Sequence, residues 1–122
     1  MIFFMKTLII GASTDPSRYA FLAANRLLEK GHEIVLIGRH EGEIKGNLIH
    51  TQQKNFEKVD TITLYINPKN QAEYYDYILN MKPRRVIFNP GTENQAFQAM
   101  LEKNNIEPIE ACTLVMLSTK EY

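Results

Sequence analysis

Cysteine is nearly missing: the 122 residues hold one, Cys112, so no internal disulfide can form and a reducing, cytoplasmic setting is the expectation. An excess of charge is also missing, because Lys+Arg and Asp+Glu are 14 each. Neither a phosphodiester backbone nor an anionic membrane then has an overall electrostatic reason to bind, so nucleic-acid and membrane partners are not expected and any anion site must be local. No apolar stretch approaches the roughly 18 residues of a membrane span. The opening Met1-Ile2-Phe3-Phe4-Met5 run has no basic segment before it and is cut by Lys6, so it does not read as a signal peptide. Internal repeats and low-complexity tracts are lacking, which sets aside solenoids and disordered tails.

What is present is the makeup of an ordinary globular chain, 44% apolar and 23% charged, of a length that suits one domain over residues 1–122 with one core. Short β-rich runs alternate with helical patterns. Thr7-Leu8-Ile9-Ile10 ends at Gly11; Ala20, Ala23, Ala24, Leu27 and Leu28 then recur at helical spacing, and Gly31 stands where a left-handed terminator belongs. Glu33 to Ile37 is the next strand, near-continuously apolar as when both faces are covered. Gly38 to Lys58 reads as loop with a minor strand at Leu48-Ile49-His50. Asp60 to Ile66 is a strand, and Asn70 with Glu73 has capping-box spacing for a helix that turns Tyr74, Tyr75, Ile78 and Leu79 inward before Pro83. Arg85 to Phe88 is a strand, Thr92 with Gln95 opens a helix carrying Phe97, Met100 and Leu101, and Asn104-Asn105 ends it. Ile106 to Ala111 is the last strand, on a sheet edge because Pro108 lacks a ladder donor. The alternation predicts a parallel sheet covered on both faces.

In such a sheet ligands bind outside the carboxyl ends of the strands, where strand order reverses. That rule selects Gly11 to Arg18, then Gly38-Arg39-His40, Asn67-Pro68-Lys69, Asn89 to Glu93, and Cys112-Thr113, and it leaves His32 and Pro83 on the opposite rim. In the first loop a glycine directly after a strand, two hydroxyls and a nearby helix start present donors to a phosphate. The competing reading makes Gly11 a tight turn and Ser17 a helix cap. Against the G-x-G-x-x-G fingerprint only the first glycine is present, with Ser13 and Pro16 in the other places, which argues against the usual NAD pose.

At the tip of the second strand an NAD site needs an acidic residue for the ribose diol, and this chain has Gly38-Arg39-His40. A guanidinium there attracts a ribose phosphate, as in coenzyme A or NADP; a solvated Arg39 or an ion pair with Glu41 or Glu43 are the plainer readings. The Asn89-Pro90-Gly91-Thr92-Glu93-Asn94 loop lets a ligand chain pass close to backbone, or is a plain turn. Cys112 either faces a thiol-bearing ligand or is a buried hydrophobe. His40, His50 and Cys112 lack metal-ligand spacing, and no Ser, His and acid can be assigned to one site, so neither a metal nor a catalytic set is expected.

Gly11-Ala12-Ser13-Thr14-Asp15-Pro16-Ser17-Arg18-Tyr19, Ile66-Asn67-Pro68, Asn89 to Asn94 and Ile109-Glu110-Ala111-Cys112 occur in an order that resembles the small stand-alone CoA-binding proteins, which are similar to the N-terminal domain of the succinyl-CoA synthetase alpha subunit. The resemblance runs from about Lys6 to Leu117. It implies an α/β fold, a Rossmann-like three-layer sandwich with a mostly parallel central sheet, holding coenzyme A or acyl-CoA along the strand ends. By it Ser13 and Arg18 would contact phosphates, Arg39 would lie near the adenosine, Pro68 would flank the ligand, and Gly91 to Asn94 would line the pantetheine path. The candidate set is Gly11, Ala12, Ser13, Thr14, Arg18, Tyr19, Gly38, Arg39, His40, Asn67, Pro68, Asn89, Pro90, Gly91, Asn94 and Cys112. The synthetase's phosphohistidine lies in a further domain that 122 residues cannot hold, so binding without catalysis, as a sensor or carrier, is the expectation. An NADP-binding oxidoreductase-like domain is the alternative, and an interaction module that kept only the fold is the third. A homo-oligomer is compatible with the sequence, which names no protein partner.

Overall fold

The computed structural model describes residues 5–122, so of the opening apolar run only Met5 is among the described residues. The chain runs β1 (Lys6–Ile10), α1 (Tyr19–Glu29), β2 (Glu33–Ile37), β3 (Gly42–Ile44), β4 (Asn47–His50), β5 (Thr61–Leu64) and α2 (Pro68–Gln71). A 3₁₀ turn (Ala72–Tyr74) then leads into α3 (Tyr75–Met81), β6 (Arg85–Phe88), α4 (Gln95–Lys103), β7 (Glu107–Glu110) and α5 (Thr113–Ser118). The seven strands form one sheet in the order β3-β4-β2-β1-β5-β6-β7. Every pairing is parallel except β3 with β4.

Strand alternation sends side chains to opposite faces, and each face finds its own helices. On one, Ile9, Ile34 and Leu36 pack with Ala20, Ala24 and Leu27 of α1 and Leu117 of α5. On the other, Leu8, Ile62, Leu64, Val86 and Phe88 pack with Ile78 of α3 and Phe97 and Leu101 of α4. Phe97 is fixed between the Tyr75 ring, stacked at 4.3 Å, and the Phe88 ring, edge-on at 5.9 Å. The result is the three-layer, mostly parallel sandwich that the sequence predicts, with Pro108 on edge strand β7.

Four local expectations are corrected. Gly42–Ile44 forms a strand, and it closes a hairpin onto the minor strand at Asn47–His50. Strand β5, inside the sheet, and edge strand β7 are both shorter than expected. Asn67, not Asn70, caps the helix after β5: its side chain accepts the Asn70 N–H at 3.0 Å, and Pro68 takes the first helical position, where a missing N–H costs nothing. Asn94, not Thr92, caps α4, accepting the Phe97 N–H at 3.0 Å. Beyond β7 the chain adds α5, which the sequence reading does not foresee.

Under α5 the sheet face carries a polar layer. Thr63 and Thr113 share a hydrogen bond of 2.8 Å, Arg85 donates from Nε to the Thr61 hydroxyl at 2.9 Å, and Thr7 bonds the Tyr122 hydroxyl. The Tyr122 ring lies 4.5 Å from the Arg85 guanidinium and 5.2 Å from the His32 ring. His32 accepts the Met5 backbone N–H on Nδ1 at 3.0 Å. Burial, joined by the Arg85 charge, holds His32 below the ordinary histidine value of 6.5, against the pull of Asp60 and of the Met5 bond.

The folded chain therefore binds this proton less readily than the unfolded one. The stabilisation is complete above the unfolded value and is lost as pH falls through the lower folded value. Acidification from about pH 7 to about pH 5 should lower the melting temperature, and His32→Asn, which keeps an acceptor for Met5, should flatten part of that slope. Identical slopes in the two proteins would assign the acid sensitivity to other groups.

Candidate functional site

Strand order reverses about β1, whose neighbours are β2 on one side and β5 on the other. A cleft of about 600 Å³ opens there, above the carboxyl ends of β1, β2, β5 and β6, as the strand-end rule requires. The loop after β1 supplies Gly11, Ala12, Ser13, Thr14, Arg18 and Tyr19, the loop after β2 supplies Arg39 and His40, and the loop after β6 supplies Pro90, Gly91 and Thr92. From the segment after β5 come Tyr65, Ile66, Asn67 and Asn70. A larger, more open depression of about 940 Å³ lies against the β3–β4 hairpin, but no candidate residue lines it.

The β1 loop is built from its own hydrogen bonds. Gly11 and Ala12 both give their N–H groups to the Ile37 carbonyl at 2.9 Å, so neither is left for a ligand. A Cβ on Gly38 would lie 2.3 Å from the Ala12 carbonyl oxygen, and one on Gly11 would lie 2.8 Å from that of Tyr65, so both positions demand glycine for close backbone approach. Ser13 accepts the Asp15 N–H on its hydroxyl at 3.0 Å, and Asp15 accepts both the N–H and the hydroxyl of Ser17, at 2.9 and 2.7 Å. Ser17 is thus a partner of Asp15 and not the cap of α1. The N-cap is Arg18, and no side chain caps that helix. The bonds from the Ser17 backbone and hydroxyl, with Arg18 adding a smaller share, hold the Asp15 carboxyl below its ordinary value.

Arg18 meets Asp15 at 3.9 Å, with both side chains largely in water. Arg39 and His40 are exposed at the tip of β2, and among the described residues Arg39 forms no ion pair with Glu41 or Glu43. Tyr19 is 70% exposed at the mouth of the cleft. Opposite it, burial pushes the Tyr65 phenol up to about 12, against the lowering effect of the Thr113 hydroxyl, so this wall is neutral.

Eleven of the candidate residues line the cleft and five do not: Gly38, Pro68, Asn89, Asn94 and Cys112 stand outside its walls. Gly38 lies under the floor as the close approach to Ala12, and Pro68 starts α2. Asn89 is buried. Its Nδ2 donates to the Thr63 hydroxyl at 2.6 Å and the Leu64 carbonyl at 2.9 Å, and its Oδ1 accepts the Thr113 N–H at 2.9 Å. Asn94 is occupied as the cap of α4, and half-buried Cys112 is the N-cap position of α5. The cleft also takes in Ala20, Tyr65, Ile66, Asn70 and Thr92, which the candidate set omits, although the strand-end rule selects the loop that holds Thr92; an expected strand as far as Ile66 hides Tyr65 and Ile66, since Leu64 is its last paired residue. No group of three His, Cys, Asp or Glu side chains suited to a metal occurs among the described residues.

Residues 5–118 match the CoA binding domain family. Among curated proteins, none matches the chain. A solved structure described as that of an uncharacterized protein is 52% identical with a TM-score of 0.96, over 99% of this chain and 100% of that one. A hypothetical protein from Pyrococcus horikoshii OT3 is 20% identical with a TM-score of 0.87, over 95% of this chain and 83% of that one. The protein described as cell-free ID.343 from Thermus thermophilus is 22% identical, also at 0.87, over 98% and 91%. At those two identities the likeness is one of fold. None of the described helices is long and apolar enough to cross a membrane.

The bonding of Asn89 gives a test of how the floor is held. Asn89→Leu leaves the Leu64 carbonyl without this donor and the Thr113 N–H without its acceptor, in a site closed to water. At about 1–3 kcal/mol for each buried group left unpaired, the variant should lose roughly 2–5 kcal/mol of stability in urea unfolding, with an unchanged m-value.

Proposed function

The chain belongs to the CoA binding domain family, and from that premise we propose that the cleft above the strand ends holds coenzyme A or an acyl-CoA, as a binding module of the sensor or carrier kind. One observation carries the reading: the cleft is cationic at one end and uncharged at the other. Arg39 and His40 come from the tip of β2 and Arg18 from the loop beside it, whereas Tyr65, Ile66, Pro90, Gly91 and Thr92 come from the far side, after β5 and β6. Coenzyme A has the same asymmetry, with three phosphates at its nucleotide end and a neutral amide chain beyond.

Each part of the ligand then has a partner of suitable chemistry. The diphosphate lies over the β1 loop, where the Ser13 and Thr14 hydroxyls, the uncapped start of α1 and the Arg18 guanidinium favour an anion. The ribose phosphate lies by Arg39. The pantetheine chain runs between Ile66 and Pro90-Gly91, toward Thr92. The dinucleotide alternative is less well supported, because Pro16 has no N–H and those of Gly11 and Ala12 already bond Ile37, so the backbone donors that a pyrophosphate fingerprint supplies are not offered here.

Coenzyme A at a hundredfold excess over its dissociation constant should raise the melting temperature by about 6 to 12 °C, and NAD should not. A charge-assisted hydrogen bond is worth about 1.5–3 kcal/mol, so Arg39→Ala should weaken coenzyme A roughly 10- to 150-fold and leave dephospho-CoA almost unchanged. Thermal unfolding with each ligand checks the first, and calorimetric titration with coenzyme A and dephospho-CoA checks the second. A response to NADP with none to coenzyme A would replace this reading with the oxidoreductase-like one.

A further inference from the structure

We propose that Gln71 is a positioning residue that fixes the width of the cleft, tying its two neutral walls together and so governing capture of the ligand's uncharged arm; the inference rests on the coenzyme A reading above. Gln71 ends α2 and is fully buried. Its Nε2 donates one hydrogen to the Ile66 carbonyl at 3.0 Å and the other to the Thr92 carbonyl at 2.7 Å. Ile66 and Thr92 line the cleft from different loops, one after β5 and one after β6. Beyond the last ladder pair, Leu64 with Phe88, the described residues show no backbone hydrogen bond between those loops. One side-chain amide therefore bridges the gap.

The bridge is itself held. The Gln71 Oε1 accepts from Asn94 Nδ2 at 3.0 Å, and the same Nδ2 donates to the Tyr75 hydroxyl at 2.8 Å, while Asn94 Oδ1 caps α4. The helix also changes from α to 3₁₀ directly after Gln71. Only a carboxamide satisfies this position. Two carbonyls need two donors and Asn94 needs an acceptor; a carboxylate has no donor, and a thioether of the same length has no donor and is only a weak acceptor.

The nucleotide half of the site does not depend on this bridge, because the loops after β1 and β2 are held by the Ile37 carbonyl. The two halves of the ligand should therefore respond differently, which a general loss of stability would not produce. Wild-type protein, Gln71→Met and Gln71→Glu are titrated with coenzyme A and with adenosine 3′,5′-bisphosphate, which carries the nucleotide end without the pantetheine arm, and unfolding is followed in parallel. If the buried substitutions prevent folding, Asn94→Asp replaces them: it keeps the α4 cap and loses the donor to Gln71. Coenzyme A should weaken about tenfold or more while the bisphosphate stays within about twofold. Equal weakening of both probes, or no weakening of coenzyme A, overturns the role of Gln71 alone. A wild-type protein that binds neither probe overturns the coenzyme A reading and the role of Gln71 with it.

Discussion

Where β1 ends, the Ile37 carbonyl takes two N–H groups, from Gly11 and Ala12, and the Tyr65 N–H closes onto the Ile10 carbonyl at 2.8 Å from the other side. Three strand ends thus meet with no room for a side chain between them, as the contacts that a Cβ on Gly11 or Gly38 would make demonstrate. The cleft floor is backbone, and its shape is set by hydrogen-bond lengths that cannot vary by more than a few tenths of an ångström. From that floor the β1 loop lifts at Ser13, the β2 tip turns out at Arg39, and the β5 segment turns away at Tyr65. The division of the site into a charged and a neutral half follows from which of these exits each side chain belongs to.

The same sheet shows why threonines occupy strand positions that an all-apolar core would fill with valine. Thr7, Thr61 and Thr63 are fully buried, and each hydroxyl has a partner: Tyr122, Arg85 and Asp60, and Thr113 with Asn89. A buried hydroxyl is costly only when unpaired, so a continuous polar layer is tolerated where isolated hydroxyls would not be. This layer joins α5 to the cleft floor through Asn89, whose carboxamide meets β5 on one side and the start of α5 on the other. Asn89 is adjacent to Pro90-Gly91, so the element that sequence reading misses is bonded to a loop that it selects as functional.

The legible parts of the sequence were those with long-range periodicity. The strand at Glu33–Ile37 and the α1 stripe of Ala20, Ala23, Ala24 and Leu27 declare themselves, because covering both faces of a parallel sheet leaves few polar positions. The helix caps lie two or three residues from the positions the spacing predicts, because Asn67 and Asn70, or Thr92 and Asn94, are comparable cap types, and tertiary contacts choose between them. Pro68 at the first helical position is the sign that would have settled one case. Helix α5 escaped because Thr113–Ser118 is a short run with four consecutive apolar residues, Leu114 to Leu117, which carries no helical period. The strand-end rule leads to the walls of the cleft but not to Gln71 behind them, whose partners Thr92 and Asn94 are distant in sequence, and Asn94, expected as a wall residue, is instead the cap of α4.

On the proposed coenzyme A reading, a chain of zero formal charge with an aspartate inside its β1 loop needs a source of affinity other than net charge. Asp15 is ionised at neutral pH, and it is engaged: Ser17 gives it two hydrogen bonds, its own N–H goes to Ser13, and its carbonyl accepts the Arg18 N–H at 3.0 Å. The loop is closed by hydrogen bonds within the chain itself, so its ordering is part of folding. The exposed Arg18–Asp15 pair at 3.9 Å is weak, so on the proposed reading a phosphate oxygen would draw the guanidinium across without much loss. Arg39 needs no such transfer, having no ion-pair partner among the described residues. Recognition as proposed would then depend on where two guanidinium groups and a helix start are held, and the aspartate fits that reading because its bonds to Ser17 and Ser13 hold the loop in place.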